Sequence, residues 1–78
     1  MTEAKLTFGE KACGVNFNPD QNMHAHNIKN KFAEIVDYIE LIRSSSDNLE
    51  VKRMASVAIT EAQTAQMWAV KAVTWSHF

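Results

Sequence analysis

Phe17 stands in a polar loop between Asn16 and Asn18, with Pro19 next, and Lys29 and Lys31 follow in the first turns of a helical pattern beginning near His24. These residue types in this order suit a nucleotide. A helix start offers free backbone N–H groups and positive dipole potential, the usual basis for holding phosphate. Lysines add charge, and a nearby aromatic ring adds a face on which a base can stack. A plainer reading stands beside this one: Phe17 is a plug that closes a helical hairpin, and the lysines are solvated. Arg53 raises a similar choice, between a contact near an interface and an exposed ion pair with Glu50 or Asp47. Lys71 can lay its stem over Trp68 or Trp75, and Trp68 reads as a core or interface anchor.

Catalysis finds little footing. No Ser-His-Asp or Cys-His arrangement appears, and a chain with only Gly9 and Gly14 has no glycine-rich phosphate loop. Glu34, Asp37 and Glu40 are three apart, which reads as a solvated acidic face. Cys13 is the lone cysteine and fits a small buried hydrophobe. His24, His26 and His77 lack the number and spacing of a zinc site. No cofactor is implied. The formal charge is −1, with acidic and basic residues mixed, which argues against a basic face gripping duplex nucleic acid. No apolar run reaches membrane-spanning length and no signal-peptide pattern opens the chain, so a cytoplasmic protein without a membrane partner is expected.

The elements that must position these residues are helical. Thr7-Phe-Gly-Glu10 has capping-box spacing for a short helix or turn, with Gly14 available to end it, although Gly9 sits awkwardly inside. Residues 14–22 read as a loop broken by Pro19. Ile28, Phe32, Ile35, Val36, Ile39 and Ile42 then form a wide apolar helical face. A break at Ser44-Ser-Ser46 precedes Asp47, which with Glu50 makes a second capping box, and helical patterning continues to about Trp75. The expectation is an all-α domain over 1–78: a short helix and loop in 1–23, then an antiparallel hairpin of long helices over 24–43 and 47–75.

In the second long helix, Ala55, Ala58, Ala62, Ala65, Ala69 and Ala72 follow 3-4-3 spacing and line up as one smooth stripe. The bulky face of the first helix can lie on that stripe. Apolar groups off it, among them Met54, Met67, Trp68 and Trp75, exceed what one partner helix covers. A surface of that extent usually marks an interface, so a homo-oligomer is expected.

Two segments carry a further signal: Gly14-Val-Asn-Phe-Asn-Pro19 followed by Ile28-Lys29, and Arg53 with Ala58-Ile-Thr60, Glu61-Ala62 and Met67-Trp-Ala-Val-Lys-Ala72. Together they resemble the phage anti-CBASS cyclic-oligonucleotide sponges, whose helical-hairpin domain also occurs in sponges that defeat Thoeris defence. The resemblance covers about Gly14 to Thr74. It implies a non-enzymatic homohexamer that binds cyclic dinucleotides such as cyclic GMP-AMP, and in some members cyclic trinucleotides, in pockets between protomers. It implies stacking by Phe17, in place of a family tyrosine, within the Asn18-Pro19 loop, and a phosphate contact from Lys29 or Lys31 according to alignment. Arg53 and Thr60 match polar positions of the second long helix. The alternative from a different class is a helical hairpin that binds or inhibits another protein through its exposed apolar face.

Overall fold

The computed structural model describes residues 5–15 and 22–75. Three helices make up the described fold: α1 (Phe8–Cys13), α2 (Met23–Ser45) and α3 (Leu49–Val73). The α2–α3 pair forms the expected helical hairpin, and α1 folds back along α2.

The helix ends follow from local chemistry. The Thr7 hydroxyl accepts the Glu10 N–H while the Glu10 carboxylate accepts the Thr7 N–H, completing the capping box. Gly14 ends α1 in the left-handed conformation at φ 61°. There its N–H donates to Lys11 O and the Val15 N–H to Glu10 O, a Schellman arrangement that glycine adopts without a Cβ penalty. At the start of α2, Asn22 Oδ1 accepts the Ala25 N–H. The helix continues to Ser45, where the Ser44 and Ser45 hydroxyls donate to Leu41 O.

The second capping box differs from expectation. Asn48, not Asp47, is the cap, its Oδ1 accepting N–H bonds from both Glu50 and Val51. Ser46 Oγ accepts the Asn48 N–H and so sets the turn one residue later. Glu50 is thereby drawn away from a capping role, and its carboxylate pairs with Arg53.

Cys13, Ala33, Val36 and Ile59 form the centre of the core, with Ala12, Val15, Phe32, Ile39 and Ala62 packed around it. Val36 is fully buried, a contribution of about 1.5–3 kcal/mol. The apolar face expected of α2 is only partly used: Ile35 and Ile42 are exposed, while Ala25, Lys29 and Ala33 point inward with Val36. Small residues face inward because α1 also lies against this side of α2. A Cβ added at Gly9 would stand 2.1 Å from Ala33 O, so the glycine inside α1 lets that helix lie directly against the backbone of α2. Asp37 is likewise more than a solvated carboxylate, since its Oδ1 accepts the Gly9 N–H at 2.7 Å.

The alanine stripe divides in two. Ala55 is buried and Ala62 packs on the core, but Ala65 and Ala72 are exposed. The inward seam of α3 instead runs through Ala55, Ile59, Ala62 and Gln66. Stripe and seam have the same 3-4 periodicity and share Ala55 and Ala62, so the roll of α3 against its partners, not the spacing, turns Ile59 and Gln66 inward and Ala65 outward. Trp68 belongs to the outer side and is no anchor of the protomer core. Among the described residues no helix is long and apolar enough to cross a membrane.

Candidate functional site

The open end of the hairpin is where the charged residues meet. Asn22 Nδ2 donates to Val73 O, tying the start of α2 to the end of α3. Gln63 Nε2 donates to Ala12 O, tying α3 to α1. Between them lies a cleft of about 450 Å³ whose lining includes Lys11, Gly14, Lys29, Gln66, Lys71 and Thr74. Three helices each supply one lysine, and among the described residues no Asp or Glu lines the cleft.

Lys29 is the most constrained of these. It is buried, with 7 % of its surface exposed, and its Nζ donates to Gly14 O at 3.2 Å. An ammonium suits the carbonyl-rich end of a helix, where unpaired C=O groups carry partial negative charge. The placement follows from the α1 turn: the Schellman closure aims Gly14 O toward α2. Burial pushes the neighbouring Cys13 thiol above its ordinary range, Asp37 pushes it further, and Lys29 opposes both. Cys13 is therefore a packing residue with an unreactive thiol, as its buried position indicates.

The other residues singled out from the sequence scatter. Phe17, Asn18 and Pro19 lie outside the described residues; the chain leaves for them at Val15 and returns at Asn22, both beside the cleft end of the molecule. Lys31 is exposed, as it must be when two residues turn a helix by about 200° away from buried Lys29. Arg53 is exposed and held in an ion pair with Glu50, its Nε donating at 3.1 Å. Thr60 is exposed and donates to Ser56 O. Arg53 lies eighteen residues from Lys71 on one helix, about 27 Å along the axis. Within one protomer Arg53 is thus too far from the lysine cleft to share a small ligand with it.

Lys11, Gln66 and Thr74 were not anticipated at the cleft. Lys11 in the last turn of α1 had no sequence signal connecting it with Lys71, sixty residues later. Gln66 is buried at the inward seam, where a polar residue among alanines was the one available hint.

The geometry is that of a cleft lined by lysines of three helices at one end of a helical hairpin. A family model described as Acb2/Tad1, hairpin domain, matches residues 11–74. The chain belongs to that family. The matched segment takes in every described residue that lines the lysine cleft. Comparison with curated proteins and with solved structures returns no match. The family's sponges work by holding cyclic nucleotide signals rather than by catalysis, and membership implies a binding role of that kind for this chain.

Proposed function

We propose that this protein sequesters cyclic dinucleotides, such as cyclic GMP-AMP, and cyclic trinucleotides, acting in the host cytoplasm as a phage sponge that starves CBASS-type effectors of their messenger without cleaving it. The observation that carries this reading is the buried Lys29, drawn onto Gly14 O in a cleft shared with Lys11 and Lys71 and lined, among the described residues, by no Asp or Glu. A cyclic dinucleotide brings two phosphates and two bases, so a few converging cations suffice where a duplex would need a long basic face. Phe17 supplies the stacking face, and Asn18 and Pro19 shape the loop that presents it. Of the two lysines considered, Lys29 is the phosphate contact in this proposal and Lys31 is solvated.

Arg53 and Thr60 join the pocket from a neighbouring copy. The distance of Arg53 from the cleft in the same protomer supports this, and the exposed apolar side chains Met54 and Trp68 of α3 and Trp75 just beyond it support self-association, with a homohexamer as the proposed assembly. A protein-interaction or inhibitor module is the second reading, favoured by the same exposed face together with Tyr38 and Leu41 of α2.

A thermal-shift and calorimetry panel of cyclic di- and trinucleotides separates the two readings. Ligand at a hundred times its Kd adds about 2.7 kcal/mol of stability, roughly 10–20 °C in Tm for a domain of this size. Lys29→Ala and Phe17→Ala are expected to abolish the shift and Lys31→Ala to keep it. The bound nucleotide should be recovered chemically intact after denaturation. If no member of the panel shifts Tm, the protein-interaction reading stands in its place.

A further inference from the structure

One buried polar side chain at the lysine cleft is left over by the fold. Gln66 stands on the inward seam of α3 after Ala55, Ile59 and Ala62, with 5 % of its surface exposed. Gln63, three residues earlier, donates its Nε2 to Ala12 O and so ties two helices together. Gln66 makes no comparable bond: among the described residues its amide has no hydrogen-bond partner. No fully enclosed side-chain N or O atom among the described residues lacks a partner. The Gln66 amide therefore keeps an opening, and the space it lines is the cleft of about 450 Å³.

Packing gives no reason for an amide at this position. Methionine has similar length and helix propensity and would continue the apolar seam, whereas a buried amide without a partner is destabilising. A residue of this kind facing a cleft points to a partner from outside the protomer. The hydrogen-bonding pattern of the amide narrows that partner. Oε1 accepts and Nε2 donates, so the group is satisfied by a donor placed next to an acceptor. Phosphate oxygens only accept, and would leave Oε1 facing negative charge. A second copy's helix already holds its backbone N–H and C=O groups in its own ladder.

A nucleobase edge presents the required pair in one plane. Adenine does so whichever way it is turned, because its N6 amine lies between the acceptors N7 and N1. Guanine shows two acceptors, N7 and O6, on one edge and alternates only on the other. The amide is neutral, so this preference does not depend on the charges around it.

We infer that Gln66 reads an adenine of the bound cyclic nucleotide, accepting from the N6 amine at Oε1 and donating from Nε2 to the ring nitrogen beside it. The inference rests on the nucleotide-binding function proposed above. It gives α3 a residue that sets base preference, in the same cleft as the Lys29 assigned to phosphate.

Full-length protein is titrated calorimetrically with cyclic di-AMP, cyclic GMP-AMP and cyclic di-GMP, and with a cyclic di-AMP analogue whose 6-amino groups are replaced by hydrogen. The parent should prefer the adenine ligands to cyclic di-GMP, and should bind cyclic di-AMP about tenfold to a hundredfold more tightly than the amine-free analogue. That comparison needs no variant. Gln66→Met should weaken cyclic di-AMP and cyclic GMP-AMP by a similar factor, leave cyclic di-GMP nearly unchanged, and melt no lower than the parent.

Equal affinity of the parent for cyclic di-AMP and its amine-free analogue overturns the role of Gln66 and leaves the proposed function standing. Binding of cyclic di-GMP as tight as that of cyclic di-AMP does the same. A Gln66→Met protein that keeps the parent's preference assigns the amide to solvent, and one that loses all three ligands alike reduces Gln66 to shaping the cleft; either result overturns the inference. If the parent binds none of the ligands, the inference and the cyclic-dinucleotide reading fall together.

Discussion

Replacing Gly9 by alanine should unseat α1 although it adds only a methyl group. That methyl would lie 2.1 Å from Ala33 O and 2.9 Å from Asp37 Oδ1, far inside contact distance, and the first obstacle is backbone of a packed helix. Relief requires α1 to lift from α2, which stretches the 2.7 Å bond from the Gly9 N–H to the Asp37 carboxylate. Losing a hydrogen bond to a charged acceptor costs about 1.5–3 kcal/mol, and overpacking adds about 1–3 kcal/mol. Alanine's better helix propensity returns about 1 kcal/mol. The net loss is about 1.5–5 kcal/mol, or roughly 6–40 °C in Tm for a domain of 60–100 residues. Thermal melts followed by circular dichroism test this at one fixed protein concentration, because self-association would make Tm concentration-dependent. Asp37→Ala should cost about 1–3 kcal/mol by leaving the Gly9 N–H unpaired. The double variant should cost less than the sum, since both changes act on one contact. A Gly9→Ala protein that melts within a few degrees of the parent would refute the close-approach argument. Because α1 carries the Gly14 carbonyl that holds Lys29, the same variant should also weaken cyclic-nucleotide binding.

Three further outcomes follow from the local chemistry. Asn48→Ala should cost about 1 kcal/mol, roughly 4–8 °C in Tm, whereas Asp47→Ala should leave the melt nearly unchanged; equal losses would return the cap to Asp47. Cys13 should resist alkylation by iodoacetamide in the native protein and react at once in denaturant. Its thiol pKa is raised above the ordinary 9.0 by burial and Asp37, so the stability it contributes is complete below that value and is lost as pH rises through the folded-state pKa; a Cys13→Ala protein should lose less stability than the parent between neutral and strongly alkaline pH. Lys29→Met keeps an apolar stem in the core while removing the donor to Gly14 O, so it should lower stability by about 1–3 kcal/mol and remove nucleotide binding, with Lys31→Met changing neither; calorimetry and melts on the pair check this.

Much of the fold is legible because helix ends are local events. Thr7, Glu10 and Gly14 interact within a few residues of one another, so the short helix and its stop could be written down from spacing alone. The hairpin followed from a brief polar link between two long apolar-patterned segments. The competition between Asp47 and Asn48 was not legible, since both are good caps and a hydrogen bond from Asn48 N–H to Ser46 Oγ chose between them. The candidate site was half legible. Lys29 was singled out together with Lys31, and only the packed helices distinguish the one facing inward from the one facing water.

By itself the sequence determined the helical hairpin, the capping box and glycine stop of α1, and the family, because caps, breaks and residue inventory depend on neighbours along the chain. Tertiary structure decided which alanines of the stripe face inward, why Gly9 must be glycine, and that Lys11, Lys29 and Lys71 converge while Arg53 stays some 27 Å away along α3. Those outcomes depend on how helices roll about their own axes when they pack. A helix's periodicity specifies its stripes and leaves the roll to its partners.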